Sequence, residues 1–174
     1  MPDVLMVGTG EYTTGYVHNS PAKSDKKIGV VALTMFDLRR RGLVGKVSMA
    51  GRDGTKFPGI RSHLKRNVAD VYRDMDVQFN SFPADDVTSD PNAYREGLRH
   101  LRRGDVVAIF TPDDSHFAIA MDAIDHGCHV LVAKPIVKTV VSLPWKYTSV
   151  GIQFTATLTI ELLDWGSLAF STPT

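Results

Sequence analysis

The sequence has little that would place the protein outside a reducing compartment. Its 174 residues include one cysteine, Cys128, so no disulfide can form within the chain. Disulfides belong to oxidising compartments, and the single thiol therefore favours a cytoplasmic location. No apolar run approaches the roughly 20 residues that a membrane-spanning helix needs, and Asp3 and Gly8 interrupt the N-terminus too early for a signal peptide. We expect no membrane partner.

An excess of one charge sign is also missing. The chain has 20 lysines and arginines against 19 acidic residues, a net charge of +1, which provides no field for nucleic acid. Its histidines show no helical pair with an acidic companion, so no metal site is predicted. The length and the 43% hydrophobic content suit one well-buried globular domain.

A strand, helix, strand unit occupies residues 105–139. Residues 106–110 form an apolar, β-branched run that predicts a buried parallel strand. Ser115 is the expected N-cap of a helix that ends at Gly127. The expected inward face of this helix is Phe117, Met121, Ile124 and Cys128. Residues 129–133 predict a second buried strand, and a right-handed crossover brings both strand ends to one rim, where ligands of parallel sheets bind.

The N-terminal residues open a dinucleotide-binding fingerprint. A short apolar strand at residues 4–7 leads into Gly8-Thr9-Gly10, whose glycines permit a tight turn and a close approach to a pyrophosphate. We assign Gly8, Thr9, Gly10 and the next two residues, Glu11 and Tyr12, to the cofactor site.

The third glycine of the fingerprint is absent, because Thr13 occupies its position. Our hypothesis is that residues 11–25 are an inserted loop and that Ser24 caps the following helix. Gly29 would then supply the close contact between helix and strand, and the helix would end near residues 39–42.

The tip of the second predicted strand, residues 46–50, bears on cofactor choice. An acidic side chain there suits the 2′-hydroxyl of NAD, whereas arginine suits the 2′-phosphate of NADP. Arg52 and Asp53 are both available, and we favour NADP because Arg52 follows the strand first and Lys56 is near. The alternative is that Arg52 is a solvated turn residue.

The remaining segments complete an α/β pattern. Residues 59–74 predict a helix whose buried face is Ile60, Leu64, Val68 and either Val71 or Tyr72. Residues 77–82 predict a third strand near a sheet edge. Asp90 is the expected cap of a helix that starts at Pro91, with its inward face formed by Tyr94, Leu98 and Leu101. The fold class is therefore α/β, a doubly wound parallel sheet.

Two motifs around the central helix resemble a known family. Thr111-Pro112-Asp-x-x-His116 before it and Gly-x-His-Val-x-x-x-Lys134-Pro135 after it are similar to the nucleotide-binding half of the Gfo/Idh/MocA family (glucose-fructose oxidoreductase, inositol dehydrogenase and MocA). The resemblance covers roughly residues 3 to 139. It implies that Thr111, Pro112 and His116 lie along an NAD(P) cofactor and that Lys134 and Pro135 lie near the nicotinamide.

The family resemblance also implies an activity, hydride transfer between NAD(P) and a hydroxyl or carbonyl carbon of a sugar or polyol. Lys134 would be the catalytic residue that orients or polarises the substrate oxygen. Ala133 stands where the family usually has glutamate, which changes the setting of the lysine. Three alternatives stay open: Lys134 is a surface lysine, His116 only hydrogen-bonds the nearby loop, or the chain is a non-catalytic nucleotide-binding sensor or interaction module.

The last residues, 140–174, do not resemble the family. We therefore expect an NAD(P)-binding domain at residues 1–139 and a β-prone tail at 140–174. At residues 148–155 the tail reads TSVGIQFT. The family has a stretch His-Lys-Arg-Trp-Asp-Pro-Ile-Tyr, and the tail residues agree with a translation of its codons that starts one base late. Our interpretation is a frameshift that leaves a truncated remnant of the substrate domain, and an inactive product is then a further alternative.

Overall fold

A computed structural model describes residues 1–73 and 75–136, and the predicted tail lies outside these residues. The sheet and helices follow the expected alternation along the chain. In chain order the elements are β1 Val4–Val7, α1 Glu11–Thr14, β2 Tyr16–Val17, β3 Ser20–Pro21, α2 Val30–Arg40, β4 Val47–Ala50, α3 Phe57–Leu64, β5 Asn80–Phe82, α4 Ala93–Arg99, β6 Val106–Ile109, α5 Asp113–Asp125 and β7 His129–Val132.

Five strands form one parallel sheet in the order β5-β4-β1-β6-β7. Helices α2 and α3 pack on one face, against side chains such as Met6 and Met49, and α4 and α5 cover the other, against Leu5 and Val107. The α/β doubly wound fold is therefore confirmed. The order reverses at β1, so the crevice between β1 and β6 is the topological switch point of the sheet.

The register aligns the strand ends at that crevice. Val7 lies opposite Ala50 of β4 and Ile109 of β6, and Ile109 lies opposite Val132 of β7. The residues that follow these strands consequently form one rim.

The prediction for residues 11–25 was wrong, because they are not a loop. They form the single turn α1 and then the hairpin of β2 and β3, whose strands pair antiparallel. The helix α2 begins at Val30 with Gly29 as its N-cap, so Ser24 does not cap it. Instead, the Ser24 hydroxyl accepts a hydrogen bond from the amide of Lys26 and closes a local turn.

Gly29 does make a close contact, but to α1 and not to a strand. A Cβ on Gly29 would lie 2.6 Å from the carbonyl oxygen of Thr13 and 2.5 Å from the carbonyl carbon of Thr14. The first helix of the fold is thus divided, with α1 and α2 meeting at Gly29 and residues 15–29 inserted between them. We call residues 15–29 the inserted segment.

The orientation of α5 also differs from the prediction. The helix begins at Asp113 with Pro112 as its N-cap, not at Ser115. Its buried residues are His116, Ile119, Ala120 and Ala123, whereas Phe117, Met121 and Ile124 are only half-buried. Small alanines let the helix approach the sheet closely, and this places the larger residues at its flanks.

The boundaries of α3 and α4 differ in similar ways. Helix α3 starts earlier than predicted and continues as a π-helical turn, Lys65–Ala69. Val71 and Tyr72 are 64% and 37% exposed, so their predicted place in the buried face was wrong. Asn92, not Asp90, is the N-cap of α4, and Asp90 accepts a hydrogen bond from the amide of Asn92.

Other parts of these predictions are confirmed. Ile60, Leu64 and Val68 are fully buried. Tyr94, Leu98 and Leu101 face the core as expected. The third strand is an edge strand, although only Asn80–Phe82 of the predicted range is paired.

A buried histidine anchors the inserted segment to α3. His63 Nε2 lies 2.8 Å from the carbonyl oxygen of Lys27, and Nδ1 lies 3.2 Å from the side-chain nitrogen Nδ2 of Asn67. The neutral ring satisfies both contacts by donating from Nε2 and accepting at Nδ1. The ring also packs on Tyr16 of β2, with 5.5 Å between centroids. Burial lowers the pKa of His63, and the charge of Arg66 lowers it further.

We expect His63 to make the fold less stable in acid. Below about pH 6.5 the unfolded chain binds a proton at this histidine while the folded chain does not, so the free energy of unfolding falls as pH falls. The slope for one such group approaches about 1.4 kcal/mol per pH unit. Urea unfolding at pH 7.5 and 5.5 should show a smaller acid loss in His63→Gln than in the wild type.

The control for this measurement is His129→Gln, at an exposed histidine. It should retain the wild-type acid loss. An equal acid loss in His63→Gln and the wild type would contradict the assigned role of His63.

Candidate functional site

A cavity of about 770 Å³ opens at the carboxyl ends of the strands. Its walls include every predicted site residue except Pro135. The rim, the switch point and the predicted motifs therefore coincide at one place in the fold.

Gly8 forms the tight turn after β1. Its φ of 108° is one that side chains rarely adopt, and a Cβ would lie 2.2 Å from the carbonyl oxygen of Phe110. The Gly8 amide donates to the carbonyl of Ala50 at 2.8 Å. Gly8 is thus required by the packing of three neighbouring strands.

Gly10 differs from Gly8 in what surrounds it. A Cβ on Gly10 would meet no atom of the protein within 4 Å. Its backbone has φ −79° and ψ −168°, an extended conformation that any residue adopts. Neither packing nor backbone geometry requires a glycine here, so the open space beside Gly10 in the cavity is the feature that suits a closely approaching ligand.

Two threonines follow in place of the missing third glycine. The Thr14 hydroxyl lies 3.1 Å from the carbonyl oxygens of both Thr9 and Gly10 and so braces the glycine turn. Thr13 is buried, and its hydroxyl has no hydrogen-bond partner within the described part of the chain. A side chain is tolerated at position 13 because the close contact occurs at Gly29.

The inserted segment contacts the two residues after the glycine turn. The Ser24 hydroxyl donates a hydrogen bond to Glu11 Oε1. The Lys26 ammonium lies 5.1 Å from the ring centroid of Tyr12, and its hydrogen bond to Asp25 raises the pKa of Lys26. Glu11 and Tyr12 both line the cavity. The Ser24 hydroxyl lies beside Glu11, and the Lys26 ammonium lies beside Tyr12.

The tip of β4 carries the two residues considered for cofactor choice. Arg52 is exposed, and its Nε donates to the Ser89 hydroxyl at 3.3 Å. Asp53 Oδ1 accepts hydrogen bonds from the amide of Thr55 at 3.0 Å and from its hydroxyl at 2.6 Å. These bonds hold the pKa of Asp53 below its usual value, with the Thr55 hydroxyl as the main cause.

His116 connects the two motifs that flank α5. Its Nε2 lies 2.7 Å from the carbonyl oxygen of Thr111, and its Nδ1 lies 2.7 Å from that of Pro135. The side chain is 1% exposed. With one ring nitrogen beside each carbonyl, His116 lies between the segments that follow β6 and β7, and this agrees with the alternative that the histidine hydrogen-bonds the nearby loop.

The Thr-Pro turn is braced on its other side by Ser115. The Ser115 hydroxyl lies 2.8 Å from the Thr111 hydroxyl and 2.7 Å from the carbonyl oxygen of Pro112. Lys134 follows the neighbouring strand β7, where it is exposed and lines the cavity. Its neighbour Ala133 donates its amide to the carbonyl of Ile109 at 2.9 Å.

Sequence reasoning missed part of the cavity wall. Four residues of the hairpin, together with Asp90 and Tyr94, also line it. The hairpin residues concerned are Tyr16, Val17, His18 and Asn19. The only local signal was the pair His18-Asn19 between short extended stretches, which is a weak hairpin turn signature.

Tyr94 joins α4 to α5 at the cavity wall. Its hydroxyl donates to Asp122 Oδ2 at 2.6 Å, and Arg95 Nε donates to the same oxygen at 3.0 Å. The pKa of Tyr94 is raised, mainly by burial and secondly by the hydrogen bond to Asp122. The tyrosine therefore remains a neutral, fixed part of the wall.

Within residues 1–73 and 75–136, no group of three or more histidine, cysteine or acidic side chains is placed to hold a metal ion. None of the helices in this same part of the chain is long and apolar enough to cross a membrane. Cys128 is buried, and burial raises the pKa of its thiol to about 11.

Comparisons with known proteins identify one family. A sequence model of the Gfo/Idh/MocA oxidoreductase family, described as having an NAD-binding Rossmann fold, matches residues 3–143. The crystal structure of an oxidoreductase from Sinorhizobium meliloti is similar, with 22% sequence identity and a TM-score of 0.40. The alignment covers 79% of this chain and 30% of that one, so this chain spans about a third of the length of that relative. No curated protein matches the chain.

Proposed function

The chain belongs to the Gfo/Idh/MocA oxidoreductase family with an NAD-binding Rossmann fold, and we propose that it binds a nicotinamide dinucleotide, NADP in preference to NAD, in the cavity at the switch point. The observation that carries this proposal is the open space beside Gly10. A glycine that neither packing nor backbone conformation requires is explained by a ligand that comes close to the backbone.

The residues around the cavity fit the parts of a dinucleotide. Gly8, Thr9 and Gly10 would accommodate the pyrophosphate, with Glu11 and Tyr12 beside it. Arg52 at the tip of β4 would bind the adenosine ribose or its 2′-phosphate. Thr111 and Pro112 would lie along the nicotinamide half, and His116 would be a positioning residue for them, since its ring lies between the carbonyls of Thr111 and Pro135.

The proposed reaction is hydride transfer to or from a sugar or polyol. The bound cofactor supplies the hydride chemistry. Lys134 would orient or polarise the substrate oxygen, because it follows β7 and lines the cavity at the rim, where the nicotinamide would end. A cation at this position stabilises negative charge that develops on that oxygen. The free, buried Cys128 further supports a proposed cytoplasmic location.

A second candidate function is nucleotide binding without catalysis. Ala133 stands where the family usually has glutamate, and Lys134 is exposed. Both features leave the lysine without the buried, charged setting that a catalytic cation needs. A nucleotide-binding sensor or interaction module would require the cavity and not the lysine.

One pair of measurements separates the two candidates. The full chain is titrated with NADPH and NADH by fluorescence, and it is then assayed for turnover with a panel of polyols and sugars. Binding with turnover that is lost in Lys134→Met supports the oxidoreductase. Binding without turnover supports the sensor, and absence of binding refutes both.

We expect Arg52→Ala to weaken NADPH binding more than NADH binding. A guanidinium pairs well with a 2′-phosphate, and loss of a hydrogen bond to a charged group costs about 1.5–3 kcal/mol. Calorimetric titration of both cofactors checks this. Arg66→Ala is the matched control, because Arg66 is exposed but does not line the cavity. Equal losses for the two cofactors would remove Arg52 from the 2′-phosphate site.

A further inference from the structure

The hairpin of the inserted segment forms a wall of the cavity. Its strands pair Tyr16 with Pro21 and Val17 with Ser20, and the turn between them is His18-Asn19. Residues of this turn line the same cavity as the glycine turn and the tip of β4. The interruption of the first helix thus brings side chains to the cavity that an uninterrupted helix would not supply.

Contacts at the base of the hairpin show which side of the cavity it occupies. Tyr16 packs on α3 so closely that a Cβ on Gly59 would lie 2.6 Å from the Tyr16 hydroxyl oxygen. Gly59 is one helical turn beyond Lys56, and Lys56 lines the cavity. The hairpin therefore lies beside the tip of β4, and α3 supports it from behind.

The turn presents a histidine where backbone geometry favours smaller residues. His18 and Asn19 both have positive φ, 48° and 57°. This is the conformation of a type I′ turn, for which Asn-Gly is the favoured pair. Histidine is among the non-glycine residues enriched at positive φ, so the turn accommodates His18 with its side chain at the cavity.

Basic and acidic side chains both line this side of the cavity. The basic ones are Arg52, Lys56 and His18, and the acidic ones are Asp53, Asp90 and Glu11. Asp53 accepts from Thr55, Asp90 from the amide of Asn92, and Glu11 from Ser24. Because each of these carboxylates already has a neighbouring donor, the three basic side chains supply the donors that a bound anion would use.

We propose that His18, together with Arg52 and Lys56, binds the 2′-phosphate of NADP, so that the inserted hairpin helps to determine cofactor choice. This inference rests on the proposed dinucleotide binding and adds a residue from outside the Rossmann framework to it. An imidazole N–H, a guanidinium and an ammonium together match the several acceptor oxygens of a phosphate monoester.

The test compares two histidine variants. His18→Asn removes the imidazole but keeps a residue that tolerates positive φ. His129→Asn removes an exposed imidazole that does not line the cavity, and it is the matched control. Each full-length variant is titrated with adenosine 2′,5′-bisphosphate, AMP, NADPH and NADH.

His18→Asn should bind adenosine 2′,5′-bisphosphate and NADPH about tenfold more weakly than the wild type, the size typical of a lost hydrogen bond to a charged group. Its affinity for AMP and NADH should not change, and His129→Asn should bind all four ligands like the wild type. Equal losses for the ligands with and without a 2′-phosphate, or no loss, would overturn the role of His18 while leaving dinucleotide binding intact. A wild-type chain that binds none of the four would instead refute the proposed function.

Discussion

Gly10→Val should strongly weaken binding of NADPH and NADH and leave the stability of the fold unchanged. The new side chain would occupy the open space beside Gly10, where we place the pyrophosphate. We expect affinity to fall about 1,000-fold, which corresponds to about 4 kcal/mol. Stability should persist because no protein atom lies within 4 Å of the new Cβ, and because the extended backbone at this position suits valine.

Gly10→Ala provides a graded control for this experiment. Its single methyl group fills less of the space and should cost less affinity than valine. Fluorescence titration measures the affinity, and urea unfolding confirms that each variant is folded. Tight binding by a folded Gly10→Val protein would refute the placement of the pyrophosphate.

Gly8→Ala should have the opposite effect, a loss of stability. The positive φ of Gly8 disfavours any side chain, and the Cβ would overlap the carbonyl oxygen of Phe110 at 2.2 Å. Phe110 donates its amide to Val7 at 2.8 Å, so β1 and β6 would have to separate to make room. We expect a loss of about 4 kcal/mol in the free energy of unfolding.

Gly42→Ala separates the two causes of this loss. Gly42 also has a positive φ, 72°, but a Cβ there would meet no atom within 4 Å. It should cost about 1–2 kcal/mol, the penalty of the backbone conformation alone. If urea unfolding gave Gly8→Ala and Gly42→Ala equal losses, the overlap with Phe110 would not be a significant constraint.

The sequence was a good guide wherever the information was local. Apolar runs at residues 106–110 and 129–133 correctly predicted adjacent strands, and the helix between them predicted their parallel arrangement. The prediction that the second strand is buried was wrong, because β7 is a partly exposed strand at the edge of the sheet. Sequence periodicity predicted the wrong buried face for α5. The helix has alanines on one face and large apolar residues on another, so either face could pack against the sheet. Only contact with the sheet shows that His116 and Ala123 face inward and Phe117 does not.

The inserted segment shows a second limit of sequence reasoning. Its polar composition and its missing third glycine indicated an insertion, but they did not indicate a hairpin. The hairpin depends on contacts such as Tyr16 with Gly59 and His63 with Lys27, which join residues 36 or more positions apart. Local propensity for so short an antiparallel pair is weak, and tertiary packing supplies the stability.

The sequence by itself determined the alternation of strands and helices, the glycine turn after the first strand and the two motifs around α5, because each depends on the conformational preferences of neighbouring residues. Only the tertiary structure decided that Gly8 serves packing while Gly10 borders open space, that His116 lies between two strand ends, and that His18 reaches the cavity. These assignments depend on distances between segments far apart in the chain, and such distances are set by how the helices and the hairpin pack on the sheet.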